Sequence, residues 1–96
     1  MKRINEIKSH LKVYLDDYKK RYKVRSLGIF GSYSRGDQTK SSDIDILVEF
    51  EEPIGLKFVD FADELEEELN TKVDLVTRGA IKPKLWKYIK KDVIYV

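Results

Sequence analysis

The chain has 96 residues and no cysteine, which allows one domain spanning 1–96 and excludes disulfides and thiolate metal sites. Apolar residues make up 42% and charged residues 38%, which excludes disorder as the default, and the lack of a bilayer-length apolar run or a secretory leader predicts a cytoplasmic protein with no membrane contact. The net charge of +2 is unevenly spread, with net +6 over residues 1–25, −9 over 26–77 and +5 over 78–96; this suits an anionic ligand held beside a metal site or, more simply, a set of solvated helix faces.

Ile4, Ile7, Leu11, Tyr14 and Tyr18 recur at helical spacing and predict a first helix over residues 2–20. His10 is the only histidine; with no second His or Cys it is read as a packing or surface residue. Val24 to Phe30 is a β-rich run that ends at Gly31-Ser32. A short helix is expected over 34–38, then a polar loop through Ser42. The alternation from Asp43 to Phe50 predicts a second strand. Residues 56–69 predict a helix with Phe58, Phe61, Ala62, Leu65 and Leu69 inward and Asn70 as its stop. A third strand follows over 72–77, a last helix over 82–91 with Leu85 and Ile89 toward the core, and a final strand over 93–96. The expected fold is α/β (α+β): a small mixed sheet of about four strands with helices mainly on one face.

Asp43 and Asp45 lie two apart on the second expected strand, so both carboxylates leave by one face while Ile44 and Ile46 enter the core. Two such charges repel unless a cation lies between them, and hard oxygen donors favour magnesium or manganese. Asp74 interrupts the otherwise apolar Val73-Asp74-Leu75-Val76; if its strand lies beside the other, three carboxylates can share two ions. Gly31 lets the backbone approach a phosphate, Ser32 adds a hydroxyl, Arg35 follows one turn later, and Ser42 precedes the aspartate pair. Each piece also has a plain structural reading: an ordinary turn, a solvated strand face, an exposed strand residue. Tyr33 and Trp86 can stack on a base or simply pack.

Gly31-Ser32-Tyr33-Ser34-Arg35-Gly36-Asp37, followed by Ser42-Asp43-Ile44-Asp45-Ile46-Leu47-Val48, resembles the signature of the DNA polymerase β-like nucleotidyltransferases. Within them the short chain is similar to the minimal nucleotidyltransferases, the MntA-like antitoxins of HEPN–MNT toxin–antitoxin pairs. The resemblance implies a palm-like sheet, two Mg²⁺ ions and transfer of AMP from ATP with release of pyrophosphate. It implies that Gly31 and Ser32 bind phosphate, that Asp43 and Asp45 bridge the metals, and that Asp74 is the third carboxylate near the attacking hydroxyl. Carry-over to Arg35 and Ser42 is looser, because those positions vary in role among relatives.

No residues are left for a module that holds an acceptor, so the acceptor is expected on a separate protein. The resemblance implies a HEPN-domain toxin, modified by AMPylation of a tyrosine. A binding-only antitoxin that occludes the toxin is the first alternative, and a nucleotidyltransferase acting on RNA or a small molecule is the second. Intact Asp43, Asp45 and Asp74 favour the enzyme, and the lack of an RNA-binding module disfavours direct nucleic-acid binding.

Overall fold

The computed structural model describes residues 3–96. Helix α1 spans Ile4–Tyr22, strand β1 Val24–Phe30, helix α2 Gly31–Arg35, strand β2 Ile44–Phe50 and helix α3 Lys57–Leu69. Strand β3 spans Val73–Thr77, helix α4 Pro83–Ile89 and strand β4 Ile94–Tyr95, with a 3₁₀ turn at Arg78–Ala80. The sheet order is β3-β2-β1-β4. β1 pairs antiparallel with both β2 and β4, whereas β2 and β3 run parallel. The mixed four-stranded sheet is therefore as expected.

One core joins α1 and α3 to the sheet: Ile7, Leu11, Tyr18, Leu27, Ile29, Ile44, Ile46, Phe61 and Leu65 are all completely buried. The Phe61 ring meets Tyr18 edge-on at 5.1 Å and lies 4.8 Å from Tyr22. Polar tips ring this aromatic centre. The Tyr18 hydroxyl donates to Glu68, which also meets His10 at 3.1 Å, and Tyr22 donates to Glu64 at 2.9 Å. His10 thus serves helix packing, as its isolation in the sequence suggests. Burial and the Glu68 carboxylate raise the Tyr18 phenol pKa well above its ordinary value.

Several expected details shift. The predicted helix start at residue 2 lies outside the described residues. α1 continues past residue 20 to Tyr22 and stops where Lys23 turns left-handed, with φ 60°. Its buried stripe is Ile7, Leu11, Tyr18 and Tyr22; Tyr14 lies off the stripe, 42% exposed, with its ring beside His10. Asn70 ends α3 in a left-handed cap, as expected. Leu85 does not reach the core: it is 54% exposed. α4 buries no residue fully, and its inner side is Trp86 and Ile89, one helical turn apart and both half-buried.

Candidate active site

The short helix begins earlier than expected, at Gly31 rather than residue 34. Phe30 leaves β1 extended, Gly31 turns with φ 71°, and one helical turn closes at Gly36 with φ 81°. The Gly36 and Asp37 amides both donate to the Ser32 carbonyl, at 2.9 and 3.0 Å. Two left-handed glycines thus bracket a single turn, which forces a sharp strand-to-helix corner.

That corner sits against β2. Phe30 is the Cα partner of Asp45, so Gly31 follows directly beside it. A Cβ built on Gly31 would collide with the Asp45 carboxylate, 3.0 Å from its Cγ. Glycine is therefore required twice here, by its backbone angle and by its neighbour.

Asp43 is exposed and lies just before β2, while Asp45 is half-buried within it. Ile44 and Ile46 are wholly buried on the opposite face, and burying a side chain of that size stabilises its strand by about 2 kcal/mol. β3 completes the group: Asp74 is the Cα partner of Asp45 in the parallel pairing, and it is exposed. The Asp45 pKa is pushed up to about 6, first by burial, then by the charges of Asp74 and Asp43, against a lowering by Arg35.

Arg35 is already shared. Its Nε donates to Asp37 at 3.2 Å and its Nη1 to Asp92 at 3.5 Å. The Ser34 hydroxyl donates to the Asp92 carbonyl. Asp92 thus borders the corner from the far end of the chain; its 57-residue separation from Arg35 leaves no local sequence signal. Ser42 is turned to its own loop, where its Oγ accepts the Thr39 amide at 2.9 Å. Tyr33 is 3% exposed, so its packing reading holds and it offers no face to a base. Trp86 carries the Arg78 guanidinium 3.9 Å above its ring.

The donor set suits a hard divalent cation: oxygen only, clustered around Asp45, with a charge balance that Arg35 alone does not meet. A cation placed there would relieve the repulsion that holds the Asp45 pKa up. Among the described residues, no group of three His, Cys, Asp or Glu side chains is placed to hold a metal ion as the side chains stand. A cavity of about 450 Å³ opens instead at the other ends of β2 and β3, bounded by Val48–Pro53 and Thr77–Gly79, and it contains none of these residues.

A strand–corner–helix thus abuts a carboxylate strand on a mixed sheet backed by helices, and comparison with known proteins gives this arrangement its class. The family model described as "Nucleotidyltransferase domain" matches residues 11–96, and the chain belongs to that family: it is a nucleotidyltransferase. Among curated relatives it is 54% identical to a provisionally named protein adenylyltransferase of Methanocaldococcus jannaschii, covering 100% of both chains. It is 42% identical to the protein adenylyltransferase MntA of Thermococcus cleftensis, over 97% of this chain and 95% of that one. A solved structure assigned as a minimal nucleotidyltransferase superposes with a TM-score of 0.81 at 26% identity, covering 97% of this chain and 95% of its own. The crystal structure of a toxin–antitoxin with AMP-PNP gives a TM-score of 0.72 at 27% identity, covering 93% and 70%.

Proposed function

We propose that the chain acts as one minimal nucleotidyltransferase domain, a protein adenylyltransferase that moves AMP from ATP to a tyrosine hydroxyl of a HEPN toxin and so serves as its antitoxin. The observation that carries this reading is the in-register pairing of Asp45 with Asp74 directly beside Gly31. Two kinds of relative support a protein acceptor and a toxin partner: a protein adenylyltransferase at 42% identity and a toxin–antitoxin complex with AMP-PNP at 27%.

In this reading Gly31 keeps side chains clear of the phosphates, while Ser32 offers its hydroxyl and the corner its amides. Arg35 adds a charge-assisted contact. Ser42 acts one step back, by fixing the 39–42 turn that leads into Asp43. Asp43 and Asp45 would hold Mg²⁺, or Mn²⁺, with Asp74 completing the set on the acceptor side. When bound, the two ions would neutralise the triphosphate and lower the pKa of the attacking hydroxyl. The hydroxyl oxygen gives up its proton toward Asp74 as it forms a bond to the α-phosphorus, the bond to the pyrophosphate oxygen breaks, and pyrophosphate leaves. Asp74, the exposed carboxylate of the pair, is suited to accept the hydrogen bond of the incoming hydroxyl.

No helix among the described residues is long and apolar enough to cross a membrane, and the compartment proposed is the cytoplasm, with no direct nucleic-acid binding. The test is incubation with labelled ATP, Mg²⁺ and the purified HEPN partner. Label on the partner's tyrosine is expected; label only on RNA or a small molecule would overturn the reading.

A further inference from the structure

Asp92 belongs to no part of the nucleotide corner by sequence, yet it touches that corner twice. Its carbonyl accepts the Ser34 hydroxyl and its carboxylate meets Arg35 Nη1. The segment that carries it is itself fixed to β1. The Val96 amide donates to the Leu27 carbonyl at 3.0 Å, and Ile94 and Tyr95 pair with Ile29 and Gly28. A Cβ on Gly28 would strike the Val93 side chain and come within 3.3 Å of Tyr95, so this strand end lies close against the strand that leads into the corner.

We infer that Asp92 is a positioning residue for the nucleotide reaction: with Asp37 it grips two edges of the Arg35 guanidinium and presents the remaining edge to the triphosphate. This rests on the reading of the Gly31–Arg35 turn as the triphosphate cradle. A guanidinium has five N–H donors in a fixed fork. Asp37 takes Nε–H and Asp92 takes one donor of Nη1, which leaves the two Nη2 donors and one of Nη1. A long side chain that is 48% exposed loses rotamer freedom when it must hold a phosphate, and contacts to two carboxylates, at 3.2 and 3.5 Å, reduce that cost beforehand. The competing effect has the opposite sign: a carboxylate near phosphates repels them.

The experiment is ATP titration by calorimetry in Mg²⁺, paired with KM and kcat on the full chain and its protein acceptor. Asp92→Ala should raise Kd and KM for ATP about fivefold and leave kcat within about twofold, since one charge-assisted contact is loosened rather than deleted. Asp92→Asn keeps an acceptor oxygen and should recover most of the affinity. Arg35→Ala should cost about tenfold, and Asp92→Ala added to it should cost nothing more. Tighter ATP binding in Asp92→Ala, an unchanged Kd, or full additivity with Arg35→Ala would overturn the inference. Thermal melts separate these effects from simple loosening of the C-terminal strand. If the wild-type chain itself bound no ATP, the cradle reading would fail first and the inference with it; wild-type binding with an unchanged Asp92→Ala would sink the inference alone.

Discussion

Asp45 and Asp74 are Cα partners across the parallel β2–β3 pairing. Side chains of directly paired residues share a face, so two carboxylates meet there with Asp43 one pleat away. Burial and these neighbours push the Asp45 pKa to about 6, above its ordinary 3.8. A carboxyl whose folded pKa is raised stabilises the fold fully below the unfolded pKa and loses that contribution as pH rises through the folded one. Relative to Asp45→Asn, the metal-free wild type should therefore lose stability between about pH 4 and pH 6; Asp17, Glu51 and Glu64, held low by their arginines, act in the opposite direction but alike in both proteins. Because the Asp45 side chain is half-open to solvent, the gain of Asp45→Asn at pH 7 should be about 1 kcal/mol. Urea melts of both proteins at pH 4, 5, 6 and 7 in EDTA check the sign; a wild type that instead gained stability relative to Asp45→Asn over this window would contradict it.

The same repulsion predicts a response to metal without any turnover. Millimolar Mg²⁺ or Mn²⁺ should raise the melting temperature of the wild type, because a ligand that binds only the folded state stabilises it by mass action. The double substitution Asp43→Asn, Asp45→Asn should melt at the same temperature with and without metal, and it should lose transfer. Equal metal shifts in both proteins would show that these carboxylates do not hold the ion.

Gly31 is constrained by its φ of 71° and by the Asp45 carboxylate against it. Gly31→Val should destabilise the fold by about 2 kcal/mol and weaken ATP binding, since a β-branched side chain suits neither the angle nor the space. Ser32→Ala should leave the melt unchanged and raise KM for ATP about tenfold, through loss of one phosphate contact. Wild-type ATP affinity in Gly31→Val, read by calorimetry, would remove the corner from the phosphate site.

Packing separates two apolar residues that the sequence treats alike. Phe61 is fully buried among aromatic rings and Leu85 is 54% exposed. Phe61→Ala should cost about 3–5 kcal/mol, whereas Leu85→Ala should stay within about 0.5 kcal/mol. Chemical denaturation of the two variants side by side is sufficient.

This contrast also marks how far the sequence could be read. The β2 alternation around Asp43 and Asp45 was legible, because a two-residue period with isoleucines between aspartates fixes which face is buried. The Gly31-Ser32 corner was legible as a strand stop, but its helix was expected three residues late. Polar Ser-Tyr-Ser-Arg carries no helical stripe, and the turn is set by two glycines with positive φ. Leu85 was misplaced because a seven-residue helix shows too few turns for its periodicity to define a face. Asp92 was invisible, since its contacts with Ser34 and Arg35 arise only when β4 pairs with β1.

Asp74 tests the central claim most directly. If the chain transfers AMP to its partner, Asp74→Asn should bind ATP and the HEPN toxin as the wild type does and yet lose transfer at least about 100-fold, as expected when activation of a reacting hydroxyl is removed. The measurement is the intact mass of the toxin after co-expression with each form and purification of the complex. The account predicts an added AMP mass with the wild type and unmodified toxin with Asp74→Asn, both in stable complexes. AMP on the toxin at wild-type level with Asp74→Asn, or an unmodified toxin with the wild type that is nonetheless neutralised, would contradict it.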